Sequence, residues 1–256
     1  MRNEKTIISN WKLLYNELFK WKKSESLRDI WREVFGDEYP EEVDHDSPVT
    51  ITDLHNISRY LNVGSGETFI DLGCGRGGPG MWVAREVGAN YFGFDLSETA
   101  IEVASKRVKN FDLEGKAQFQ VGDMGETNFS DNMFDAAMSI GALLFIPNKL
   151  KAIHEVARII RPGATFVFIT VEEKEPHLVN DFRPLLRKAG LEVKVYEEIP
   201  DSTRKHGEYY KKVIETKDQL IKDMSPQAAA LWISDAQTHL PRIKFWRRVL
   251  AVAKKP

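Results

Sequence analysis

The stretch from Thr68 to Gly80, TFIDLGCGRGGPG, carries the densest chemical information in the chain. An apolar run leads into Gly73, Gly75, Gly77 and Gly78, and Pro79 suits the first turn of a following helix. Glycines at such a junction let the backbone turn sharply and leave main-chain N–H groups of a helix N-terminus facing a ligand. Gly73-x-Gly75-x-x-Gly78 fits a dinucleotide fingerprint, with Asp95 placed 20 residues beyond Gly75 as a ribose-binding acid. The plain alternative is a tight strand-to-helix turn with no ligand. Asp71 helps to decide. Its carboxylate would repel a pyrophosphate brought against the loop, whereas a ligand with positive groups would gain from it.

Candidate bases lie elsewhere. Of the six histidines, His45, His55, His154, His177, His206 and His239, His55 and His154 fall in helical stretches and read as structural. His177, His206 and His239 lie where a substrate mouth is expected, and His206 and His239, with Tyr209, are the candidate catalytic residues. Glu172 and Glu173 are alternatives, solvated loop acids being the plain reading. Trp11, Tyr15 and Phe19 recur at i, i+4 and i+8, as in a core-facing helix or an aromatic lid over a ligand. Leu143-Leu144-Phe145-Ile146 suggests an apolar pocket floor, so Trp11, Tyr15, Leu143 and Phe145 are candidate substrate contacts. No ligand cluster has metal spacing, and no metal is expected. The single cysteine, Cys74, excludes an internal disulfide.

The elements that must position these groups follow from periodicity. Strands are predicted at 68–72, 90–94, 117–121, 134–140, 165–171, 191–196 and 246–253. Helices are predicted at 79–87, 98–110, 149–160 and 179–189, which implies βαβ units and a parallel sheet covered on both faces. An amphipathic helical region at 10–36, which includes Trp21, stops at Gly36 before an acidic loop, and a short helix covers 50–62. Residues 203–240 read as a helical insertion. The expected organisation is an N-terminal helical cap over 1–62, a Rossmann-like core over 63–200, a helical substrate lid over 201–244 and a last core strand over 245–256.

Composition bounds the function. With 256 residues, 42% hydrophobic and 29% charged, the chain has ordinary globular usage. Its net charge of −2 gives no electrostatic footprint for nucleic acid. The N-terminus lacks a signal-peptide core, no run is long enough to span a bilayer, and a cytoplasmic protein is expected. Monomer and homodimer stay open.

Four stretches resemble class I S-adenosylmethionine (SAM)-dependent methyltransferases acting on small molecules: FIDLGCGRG (69–77), FGFDLS (92–97), VGDMGETNFSDNMFDAAMS (121–139) and ARIIRPGATFVF (157–168). The likeness runs from about residue 47 to the C-terminus. It implies a doubly wound, mainly parallel seven-stranded α/β sheet with a reversed last strand, here Trp246–Ala253, and SAM as the methyl donor. By the same resemblance, Asp71, Gly73, Gly75 and Gly77 form the cofactor loop, and Asp95, beside Leu96, binds the ribose hydroxyls. Asp123 bonds the adenine amino group, Met124 contacts the ring, and Ser139, Ile140 and Gly141 line the sulfonium end. The Arg161-Pro162-Gly163 turn precedes the fifth strand. An N-terminal tyrosine, here Tyr15, covers the methionine end.

The implied activity is methyl transfer to O, N or C of a small organic acceptor, in line and in a closed, largely apolar pocket roofed by 10–21 and 203–240. Many O-methyltransferases of this kind place a His after the fourth strand. Leu143–Ile146 stands there instead, which argues against His-assisted O-methylation. The alternatives are an NAD(P)-dependent oxidoreductase, for which no tyrosine has Lys four residues later, and an inactive SAM-binding module. A nucleic-acid amino-methylating enzyme would need Asp/Asn-Pro-Pro-aromatic where Ser139-Ile140-Gly141-Ala142-Leu143 stands.

Overall fold

The computed structural model describes residues 4–20, 24–173 and 179–256. Trp21 and His177 lie outside them.

Seven strands form one sheet in the order β3-β2-β1-β4-β5-β7-β6. They are β1 (Thr68–Leu72), β2 (Asn90–Asp95), β3 (Ala117–Val121), β4 (Phe134–Ile140), β5 (Ile160–Glu173), β6 (Glu192–Glu198) and β7 (Trp246–Lys254). The first five run parallel, and β7 is antiparallel to both β5 and β6. This is the Rossmann-like sheet with a reversed last strand. Side chains alternate between two buried faces: Ile70, Ala137, Phe166 and Phe168 go to one, Phe69, Met138, Val167 and Ile169 to the other. Strands buried on both faces explain why these runs are nearly continuous in apolar residues.

The helices in the described residues are α1 (Glu4–Lys20), α2 (Glu25–Phe35), α3 (Ile51–Leu61), α4 (Gly78–Val87), α5 (Glu98–Arg107), α6 (Lys149–Ile159), α7 (Arg183–Lys188), α8 (Ser202–Glu215), α9 (Lys217–Asp223) and α10 (Pro226–His239). One sheet face carries α6 and α7 through Ile153, Val156 and Leu186. The other carries α3 and α4 through Leu54, Ile57, Leu61 and Met81. A separate cluster joins α2 to α8, α9 and α10 through Leu27, Trp31, Tyr209, Val213 and Leu220. The N-terminal segment and the late insertion therefore make one roof.

Several local expectations shift. The helical region 10–36 is two helices, the second started by Ser24, whose Oγ accepts from Leu27 N, and Gly36 ends it at φ 55°. The helix expected at 50–62 packs on the sheet beside α4 and is core, not cap; Thr50 and Asp53 start it with a reciprocal capping box. Arg161-Pro162-Gly163 is not a turn before β5 but lies within it, where the pairing register shifts between Phe134 and Ala136. Glu172 and Glu173 likewise end β5 rather than sit in a loop. The helix at 179–189 shrinks to α7, Pro184 occupying its first turn.

Candidate active site

The C-terminal ends of β1, β2, β4 and β5 open into a cavity of about 660 Å³, bounded from above by α1, α8 and α10. Volumes of this order hold organic ligands. At its base is the glycine loop. Gly73 and Gly75 take φ 79° and 52°. A Cβ on Gly73 would lie 2.2 Å from Ala142 Cβ, so only glycine lets β1 turn this close to the end of β4.

Three carboxylates line that end, each supplied by a strand end or the turn after it. Asp71 is 2% exposed and accepts from the Tyr91 hydroxyl at 3.2 Å. Burial pushes it up to about 7. Asp95 accepts from Gly75 N and from Ser97 N, both at 2.8 Å, and burial raises it too. It braces the glycine loop against the start of α5, while Ser97 caps that helix at Ala100 N. Asp123 accepts from Gly125 N at 2.8 Å, and Met124 beside it is buried. Both Asp95 and Asp123 thus bond to nearby backbone, and both also face the cavity with Leu96 and Ile140.

Aromatic side chains cover the middle. Phe19 of α1 lies over Gly75, its Cζ 3.4 Å from where a Cβ would be. Tyr15 and Trp11 both pack edge-on with Phe145, their ring centroids 5.6 and 5.0 Å from its own. The stripe at i, i+4, i+8 is therefore cavity wall as well as packing. Lys12 pairs with Glu98 at 2.7 Å and Asn16 accepts from Ser97 Oγ at 2.6 Å, which seats α1 on α5.

The roof contributes His206, Tyr209 and His239 to the same cavity. His206 is packed on Tyr210, with ring centroids 4.4 Å apart. Burial, and then the neighbouring Arg248 and His239, lower it to about 3. It is a neutral hydrogen-bonding group near pH 7 and a poor proton acceptor. His239 Nε2 lies 3.5 Å from Asp235 Oδ1 one turn earlier on α10.

Three expected contacts fall behind the wall. Gly77 is the N-cap of α4, hemmed in by Met81 and Ala104. Ser139 donates to Leu72 O at 2.8 Å, locking β4 to β1. Leu143 is fully buried in the sheet core, and its neighbours Leu144 and Phe145 line the cavity instead. The glutamates proposed as bases are engaged. Glu172 is bound by Arg247, Tyr196 and Phe182 N, and Glu173 by Arg242 at 2.6 Å. Among the described residues no group of three or more His, Cys, Asp or Glu is placed to hold a metal, and no helix is long and apolar enough to cross a membrane.

The family model of the methyltransferase domain matches residues 64–242. The chain belongs to the methyltransferase domain family. Among its relatives is Methyltransferase GfsG of Streptomyces halstedii, 28% identical over 169 residues, 57% of this chain and 60% of that protein. Sterol 24-C-methyltransferase ERG6 of Saccharomyces cerevisiae is 29% identical over 147 residues, 57% of this chain and 38% of its own. The chain thus spans from well under half to about 60% of the length of these relatives. A solved geranyl diphosphate methyltransferase in complex with SAM shares the fold at a TM-score of 0.62 and 17% identity, covering 80% of this chain and 85% of that one.

Three cavity residues carried no clear mark in the sequence. His45 is buried against Trp31 and Tyr39. Arg248 is held by Asp53 at 2.8 Å in a buried pair. Asp235 is the third, and its i, i+4 spacing to His239 on a helix was the one available signal.

Proposed function

We propose that the chain is a SAM-dependent methyltransferase acting on a small organic acceptor. The observation that carries this reading is the set of three carboxylates, Asp71, Asp95 and Asp123, facing one cavity over a glycine loop too tight for a side chain. The donor set fits the cofactor. A buried Asp71 suits an ammonium, Asp95 the ribose hydroxyls, and Asp123 with Met124 the adenine edge and face. When bound, SAM supplies an electrophilic methyl group on a positively charged sulfur.

The protein's own contribution is orientation in a water-poor space. Trp11, Tyr15 and Phe145 exclude solvent beside Ile140. Burial holds the Tyr15 hydroxyl in its neutral form, with the charges of Asp95, Asp235 and Asp46 adding to the effect, so it can donate to an acceptor. Tyr209 is a second neutral hydroxyl. Of the two roof histidines, His239, oriented by Asp235, is the group suited to take a proton, and His206 shapes the wall.

Calorimetric titration with SAM, and separately with NADH, tests the reading. SAM is expected to bind and NADH not. Absence of SAM binding overturns it, as does NADH binding alone.

A further inference from the structure

Most of the charged groups that line the cavity have a partner. Arg76 lies against Asp44 and Asp46 at 3.5 and 3.6 Å, Arg248 against Asp53, and Glu173 against Arg242. Lys149 Nζ donates to the carbonyls of Leu144 and Ile146. The acids at the strand ends belong to the cofactor on the reading proposed above, on which this inference rests. Asp235 remains. Its side chain, about half accessible at 47%, lines the cavity. Among the described residues its only charged partner is His239, and that pair is ionic only when the imidazole carries a proton.

What surrounds this carboxylate is aromatic. Tyr210 lies near enough to Asp235 to feel its charge and stacks on His239, whose ring also meets Trp246 with centroids 5.1 Å apart. Tyr209 feels the charge of Asp235 and stacks on Trp31. Its hydroxyl is buried with no protein partner among the described residues, as are His239 Nδ1 and Trp246 Nε1. A carboxylate among electron-rich ring faces is how proteins hold organic cations. Tyr15 feels Asp95 and Asp235 together, so this box adjoins the cofactor half.

We propose that the acceptor is an amine, its nitrogen held as the ammonium ion by Asp235 within the box of Tyr209, Tyr210 and Trp246. Before transfer the ammonium N–H bond breaks and its proton passes to His239 Nε2, which lies 3.5 Å from Asp235 Oδ1. The freed nitrogen lone pair forms the new N–C bond. The C–S bond of the donor breaks with its electron pair left on sulfur, giving a neutral thioether. The product leaves as the methylated ammonium ion, and His239 returns its proton to water.

Octylamine, octan-1-ol and octanoate, which share an alkyl chain suited to the apolar wall, serve as probes of protein saturated with S-adenosylhomocysteine. In calorimetric titrations octylamine is expected to bind at least tenfold more tightly than either of the others. Asp235→Asn should remove that preference without changing affinity for S-adenosylhomocysteine, and Asp235→Glu should retain it. Octylamine failing to bind, octanol or octanoate matching it, or Asp235→Asn keeping the preference would each overturn the inference. A protein that does not bind S-adenosylhomocysteine at all would instead sink the methyltransferase reading beneath it.

Discussion

Trp31 of α2 and Tyr209 of α8 stack with ring centroids 4.3 Å apart and planes 26° from parallel. Through this pair the N-terminal segment and the late insertion share one hydrophobic cluster. Trp31→Ala should cost about 3–5 kcal/mol of stability, the usual range for emptying a buried indole site. Tyr209→Phe removes a hydroxyl with no protein partner among the described residues and should cost less than about 1 kcal/mol. Urea unfolding of both variants checks the contrast, and equal losses would contradict it.

Asp95 holds Gly75 N and Ser97 N while facing the cavity. Asp95→Ala should weaken SAM binding about 10- to 150-fold, the worth of a charge-assisted hydrogen bond. Calorimetry reads this directly, and an unchanged affinity would exclude the ribose role.

Asp71, raised by burial from 3.8 to about 7, predicts a pH dependence. Between about pH 4 and 7 the folded chain keeps a proton there that the unfolded chain has lost, so this group's contribution to stability falls as pH rises through that window. A ligand ammonium favours the carboxylate. SAM binding at pH 6 should therefore expel a proton, and affinity should climb up to about pH 7 and then level. Asp71→Asn should flatten that curve. Binding heats measured in buffers of different ionisation enthalpy give the proton count.

His206 should stay neutral well below the usual histidine range, because burial lowers it to about 3. Its ring carbon resonance in a ¹³C-histidine sample should not titrate between about pH 8 and 5, whereas an ordinary imidazole has its midpoint near 6.5. A midpoint near 6.5 would restore it as a candidate base.

Gly78 opens α4 where a Cβ would sit 1.9 Å from Val43 O. Gly78→Ala should push the turn that carries Asp44 and Asp46 away from Arg76, at a cost of about 1–3 kcal/mol. Thermal melts would show this as a fall of several degrees.

Sequence reading reached the sheet and the cofactor loop because both are local. Nearly continuous apolar runs in β1, β4 and β5 and the run Gly73-Cys74-Gly75 say where a strand ends and how sharply it turns. It missed which side of the wall Ser139 and Leu143 would face. At a strand end the alternation runs out, and a single turn of 3₁₀ helix at Leu143–Phe145 rotates neighbours to opposite sides. It missed Asp235, Arg248 and His45 for another reason. Each comes from a different part of the chain, and only tertiary packing brings them to one space. His206 shows a third limit. Residue type marked it as a base, and burial removed that property.

The strand order has a consequence for synthesis on the ribosome. Among the described residues β6 pairs only with β7, and β7 also completes the edge of β5. Residues 192–198 are therefore translated well before the strand that fixes them, and must wait through the making of α8, α9 and α10. Until residues 246–254 emerge from the exit tunnel, the β5 edge offers unpaired N–H and C=O groups to any passing strand. The nascent chain passes through an adhesive stage that the finished fold no longer shows, and release of its last strand ends it.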